Sequence, residues 1–177
     1  MKNLILIGAG CSRENAEYLC SLGVPVMTTW QGIDLVPEDS PVFVGRPGMI
    51  GQRAANIIQQ KCEQLHIFGA RLDGEQVGHR IDNFAPKARK VVYDVDAEEL
   101  EKLPASWFIH QQDLSEPFTV KIESDARWLK WCKDLYKRFR YELDGTNIVE
   151  DYVDPYLFVR RLSDACQEGE VIVPASS

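Results

Sequence analysis

No apolar stretch in the chain approaches the roughly 20 residues that a membrane-spanning helix requires, so a bilayer-crossing helix is excluded. The opening apolar run around Leu4 to Ile7 has only about five residues, short of the 7 to 15 of a secretory leader, and reads better as a buried first strand of a cytoplasmic protein. Basic charge is also scarce: 20 Lys and Arg face 27 Asp and Glu, the net charge is -7, and the acidic excess runs through both halves. Without a basic patch there is no footprint for a nucleic-acid backbone. The five cysteines, Cys11, Cys20, Cys62, Cys132 and Cys166, form an odd set at long irregular spacings, which argues against a zinc site and against a disulfide framework. They read as reduced thiols acting as small buried hydrophobes. A bond-making constellation is missing too: His66 lies in a strand, His110 follows one, His79 sits in a polar loop, and none has a paired nucleophile nearby in sequence. Neither a catalytic residue nor a metal-ligand set is assigned.

What the 177 residues do contain is 45% hydrophobic composition, enough to bury one good core. Short β-rich runs alternate with helical patterns. Leu4 to Ile7, Val24 to Thr28, Val42 to Val44, Leu65 to Phe68, Val91 to Asp94 and Trp107 to Ile109 read as six strands, and interleaved helices predict a doubly wound parallel α/β sheet. Helices are expected from Ser12, as N-cap, to Leu22, and from Ile50 to Cys62, with Asp96 and Glu99 in capping-box spacing for a third. From Ser124 to Tyr141 an amphipathic pattern puts Trp128, Trp131, Cys132, Leu135 and Phe139 on one face. After a linker, Asp154 and Pro155 open a helix to Cys166, and Glu170 to Val173 reads as a strand. Because only Pro174 to Ser177 follow that strand, the chain is expected to break off within the first unit of a further domain.

In doubly wound sheets ligands sit beyond the carboxyl ends of the strands, where helix N-termini and backbone N–H groups converge. Three segments meet that description. Gly8-Ala9-Gly10-Cys11 follows the first strand, although Arg13 stands where the dinucleotide fingerprint has its third glycine, so a tight turn and a phosphate site both remain open. The segment Gly45 to Asn56 carries Gly48 and Gly51, with Arg46 and Arg53 as either phosphate ligands or surface charges. In Gly69-Ala70-Arg71-Leu72-Asp73-Gly74, Arg71 pairs either with phosphate or with a neighbouring acid such as Asp73. Asp94, ending its strand, accepts from a ribose hydroxyl or caps the next turn.

Taken in order, Gly8-Ala9-Gly10, the run Val24 to Gly32, Gly45-Arg46-Pro47-Gly48 with Gly51, Gly69 to Asp73, Phe84-Ala85-Pro86-Lys87-Ala88 and Val91 to Leu100 resemble the middle domain of thiamine-diphosphate-dependent enzymes, nearest the acetolactate synthase-like branch. The resemblance covers residues 3 to about 115. It implies a six-stranded parallel sheet of order 3-2-1-4-5-6, of the Rossmann-like, NAD/FAD-binding type. It also implies a division into a central domain (1–142), a linker (143–151) and the start of a diphosphate-binding domain (152–177), where Tyr152 to Tyr156 resemble the entry to that domain.

The same resemblance implies that the full-length parent decarboxylates a 2-keto acid and joins the fragment to an acceptor, using thiamine diphosphate and magnesium, as a homo-oligomer. The Gly-Asp-Gly metal motif and the pyrimidine-binding domain are not in this sequence, so the chain is not expected to be catalytic alone. Some members hold FAD in a structural role in the middle domain, others hold ADP or nothing. Carried over, Gly8, Ala9, Gly10, Thr29, Gly48, Gly69, Arg71 and Asp94 would line such a nucleotide. Leu72 and Gly74 depart from the Arg-Phe-Asp-Asp pattern, and Arg46-Pro47 from the flavin-holding members. The competing readings are a stand-alone FAD- or ADP-binding module and, more weakly, a dehydrogenase.

Overall fold

A computed structural model describes residues 1–139 and 152–173; the linker expected over 143–151 lies outside the described residues, as do Pro174 to Ser177. Five apolar runs form strands: β1 (Asn3–Ile7), β2 (Val26–Thr28), β3 (Gln64–Phe68), β4 (Arg89–Asp94) and β5 (Phe108–Gln111). All pair in parallel, in the order β2-β1-β3-β4-β5. The helices are α1 (Arg13–Ser21), α2 (Arg53–Lys61), α3 (Gly74–Val77), α4 (Ala97–Glu101) and α5 (Ala126–Phe139) in the same unit as the sheet, and α6 (Pro155–Ala165) beyond it in sequence. None of the described helices is long and apolar enough to cross a membrane.

β1 is the core of the sheet. Leu4, Ile5, Leu6 and Ile7 are all fully buried, because a parallel strand covered on both faces needs apolar side chains at every position rather than at every second one. Each such burial stabilises the fold by about 1.5–3 kcal/mol relative to an exposed side chain. β5, by contrast, is an exposed edge throughout.

The expected six strands are corrected to five. Val42–Val44 lies beside β2 but forms only one bridge, between Phe43 and Val26, although the Val26 N–H donates to Val42 O and the Val44 N–H to Val26 O, both at 2.8 Å. The segment does not extend the ladder: it follows directly on a turn in which the Phe43 N–H donates to Ser40 O, and past Val44, where Gly45 takes φ +107°, the contact with β2 thins to a long bond from the Thr28 N–H to Gly45 O at 3.4 Å. The strand expected at Glu170 to Val173 is likewise corrected. Those residues have no strand structure, and Val171 and Val173 are exposed. Helix α2 begins at Arg53 rather than Ile50, because Gly48 to Gln52 fold into a turn in which the Gly51 N–H donates to Gly48 O and the Gln52 N–H to Arg46 O.

One face of the sheet is sealed by a strap rather than by a helix alone. Residues 114–123 cross it without secondary structure, and side chains supply the missing backbone partners. Asn15 Nδ2 donates to Leu114 O and Glu116 O, the Val120 N–H donates to the Tyr18 hydroxyl while that hydroxyl donates to Val120 O, and Asn3 Nδ2 donates to Glu123 O. Beneath the strap Phe118 packs on Phe68, which stacks on Tyr93, which stacks on His110.

Helix α5 buries Trp128, Cys132 and Tyr136. Trp128 Nε1 donates to Asn3 O at 2.8 Å, and Tyr136 donates to Glu38 Oε1. Trp131, expected on the same stripe, stacks on Trp128 but stays 40% exposed, and Tyr136 takes the inward place instead. The chain divides into two units, Met1–Arg140 and Tyr141–Ser177. In the second, Asp154 caps α6 by accepting from the Leu157 N–H, with Pro155 in the first turn, and α6 buries no residue.

Candidate functional site

Because β2 lies on one side of β1 and β3 on the other, the chain reverses direction between β1 and β3, and a crevice opens beyond their carboxyl ends. It encloses about 240 Å³. Six of the eight residues expected around a nucleotide line it: Ala9, Gly10, Thr29, Gly69, Arg71 and Asp94. Gly8 and Gly48 do not. Gly8 is buried behind the rim, and Gly48 sits in the neighbouring turn.

The glycines have a packing reason of their own. A Cβ on Gly8 would fall 2.3 Å from Gly69 O, and one on Gly69, which already holds φ +56°, would fall 2.4 Å from Gly10 C. The loops after β1 and β3 therefore touch backbone to backbone, which only glycine permits. That contact also consumes their donors. The Gly8 N–H donates to Phe68 O, Gly10 to Gly69 O, Cys11 to Gly8 O and Gly69 to Tyr93 O. In the turn after Val44 the Gly48 N–H donates to Asn56 Oδ1, whose Nδ2 returns a bond to Gly48 O, and the Met49 N–H donates to Glu75 O.

The charges point the same way. Asp73, Glu75, Asp94, Asp96 and Glu99 line the crevice against one cation, Arg71. Arg71 does not pair with Asp73; its guanidinium lies 3.4 Å from Glu99 Oε1, which also receives Lys102 Nζ at 2.6 Å. Asp73 instead caps α3, accepting from the Glu75 and Gln76 N–H groups. Asp94 accepts from the Asp96 N–H, and Asp96 caps α4 through the Glu98 and Glu99 N–H groups. The capping box is thus half made, because the Glu99 side chain turns to Arg71 and Lys102. A phosphate charge about 6 Å from one of these carboxylates meets about 0.7 kcal/mol of repulsion in bulk water, and about four times that at an effective dielectric of 20.

Arg46 and Arg53 are not crevice ligands: they stack on Phe43 and Phe139. Trp30, Gln31, Glu75 and Gln76 line the crevice without having been expected as ligands, although Trp30 and Gln31 belong to the Val24 to Gly32 run. The Trp30-Gln31 pair immediately after Thr29 was the available signal, since it continues the loop from the carboxyl end of β2.

Among the described residues, the crevice lining holds no cysteine, serine, histidine or lysine. Burial pushes the Cys11 and Cys62 thiols up to about 12 and Cys20 to about 11, and raises Cys132 as well, so these four are protonated at neutral pH. His66, 5% exposed in the centre of β3, has both ring nitrogens buried without a hydrogen-bond partner; burial, with Arg89 second, lowers its pKa to about 4. It is a neutral core residue. No group of three or more His, Cys, Asp or Glu able to hold a metal occurs among the described residues.

With this geometry, the comparisons with known proteins are specific. A family model described as "Thiamine pyrophosphate enzyme, central domain" matches residues 1–112. The large subunit of acetolactate synthase isozyme 2 from Escherichia coli (strain K12) is 29% identical over 170 residues, covering 92% of this chain and 30% of that protein. The chloroplastic acetolactate synthase 1 of Oryza sativa subsp. japonica is 34% identical over 183 residues, covering 96% and 28%. A probable acetolactate synthase large subunit from Methanocaldococcus jannaschii is 35% identical over 171 residues, covering 92% and 28%. The chain spans less than a third of the length of these relatives.

Proposed function

Since the chain belongs to the family of thiamine pyrophosphate enzyme central domains, we propose that it is the scaffold portion of an acetolactate synthase-like enzyme, contributing packing between domains and subunits and no catalytic group. The parent would decarboxylate a 2-keto acid and ligate the fragment to an acceptor, with thiamine diphosphate and magnesium held by other portions of the polypeptide, in a homo-oligomer. When bound, thiamine diphosphate supplies the carbanion-stabilising chemistry.

The observation that carries the reading is the family match over residues 1–112, on a crevice whose lining holds no cysteine, serine, histidine or lysine among the described residues. The strand order, reversing between β1 and β3, supports a doubly wound, Rossmann-like fold kept for its shape. Residues 152–173 support a second part of the proposal: α6, capped by Asp154 yet burying nothing, is the opening helix of the domain that binds the diphosphate. A stand-alone adenine-nucleotide module is not favoured, given the acidic crevice.

The test has two arms. The reading frame on both sides of this chain is expected to encode a pyrimidine-binding domain upstream and a Gly-Asp-Gly metal motif downstream, and a frame with neither sinks the proposal. The full-length product is expected to release carbon dioxide from a 2-keto acid only with thiamine diphosphate and magnesium present. Turnover by residues 1–177 alone would overturn the scaffold role.

A further inference from the structure

We infer that the crevice has lost the adenine dinucleotide that its fold and glycine loops offer a place for, and that it admits no phosphate-bearing ligand. Two independent features carry this. The first is the backbone. A diphosphate at the carboxyl ends of parallel strands is held by N–H groups left free in glycine-rich turns and at helix N-termini. Here Gly8, Gly10 and Cys11 donate to Phe68 O, Gly69 O and Gly8 O, and Gly69 donates to Tyr93 O. The second glycine turn is equally occupied, with Asn56 clamping Gly48 on both its N–H and its carbonyl, and Glu75 O taking the Met49 N–H. At the start of α1 the Asn15 N–H is held by Ser12 Oγ, and the Ser12 N–H by Leu114 O. The glycines are thus explained by the approach of loop to loop.

The second feature is charge. Five carboxylates line the crevice, and its one guanidinium is bonded to Glu99, which is shared with Lys102. An incoming phosphate would share the one guanidinium with Glu99. Arg46 and Arg53, the other cations in the glycine segments, stack on Phe43 and Phe139. The inference takes from the family reading only the location of the site.

Titration calorimetry of the intact wild-type chain with FAD, ADP and inorganic diphosphate tests it, together with the visible spectrum of protein purified without added flavin. No absorbance near 450 nm and no saturable heat are expected, corresponding to a Kd weaker than about 1 mM. Saturable binding of any of the three tighter than that limit overturns the inference. A cooperative urea transition in the same preparation shows that a flat titration comes from folded protein. The variant E75Q/D94N/E99Q is expected to be equally silent, since it removes charge and frees Arg71 but leaves the glycine N–H groups occupied. Binding by that variant would overturn the backbone as the barrier. Flavin binding by the wild type would leave the family reading intact, whereas a parent without thiamine-dependent activity would leave this inference intact.

Discussion

Helix α5 hides Trp128, Cys132 and Tyr136 and ties itself to β1 through Trp128 Nε1, whereas α6, with Tyr156, Phe158 and Val159 on its surface, buries nothing. Both are amphipathic and both are capped, α5 by Asp125, which accepts from the Arg127 and Trp128 N–H groups, and α6 by Asp154 with Pro155 at its start. The difference lies in what surrounds them. An apolar stripe states that a helix needs a cover, and tertiary contacts decide whether the cover is at hand. The rice relative matches 96% of this chain, α6 included, within a polypeptide more than three times as long.

The sharpest way to break this comparison is to remove one aromatic from each helix. Trp128→Ala is expected to cost about 3–5 kcal/mol in urea unfolding, from lost burial and a lost hydrogen bond, whereas Phe158→Ala in the same chain should stay within about 0.5 kcal/mol. Equal effects would mean that the two helices are equally integrated. A second test addresses the core over which the strap closes. The His66 pKa is lowered from 6.5 to about 4 in the folded protein, so the unfolded chain binds a proton in that window that the folded one refuses. This contribution is therefore fully present above about pH 6.5 and declines as pH falls towards 4, by about 3 kcal/mol at the lower end. His66→Leu should flatten that part of the urea midpoint against pH; identical slopes in variant and wild type would show that His66 is not the group responsible. The smallest effects come from the caps. Ser12→Ala, at the start of α1, is expected to lower global stability by about 1 kcal/mol, whereas Asp154→Ala should reduce only the helical circular dichroism signal and leave the unfolding midpoint in place.

Much of the fold was legible from residue order. Continuous apolar runs marked strands buried on both faces, and Ser12, Asp96 and Asp154 marked helix starts that the structure caps as expected. The site was legible in position, since motif order brought Gly10, Gly69 and Arg71 to one crevice. Its chemistry was not. The partner of Arg71 is Glu99, 28 positions along the chain, and Asp73, its near neighbour, is occupied with α3. A local reading cannot rank partners that only the fold brings together. Nor do glycines disclose whether they make room for a ligand or for each other: the 2.3 Å between a Cβ on Gly8 and Gly69 O exists only once β1 and β3 lie side by side. The strand expected at Val42–Val44 failed for a local reason, the turn at Ser40 and the positive φ of Gly45, in a segment whose composition is right for β structure.

The strap carries a lesson about boundaries. The family match stops at residue 112, one position past the end of β5, yet the aromatic face of the sheet is roofed by residues 114–123 and the other anchor of β1 is Trp128. The span of the family model and the span that closes this face of the sheet therefore end at different places. A chain trimmed at residue 112 would keep the whole of that match and lose its roof.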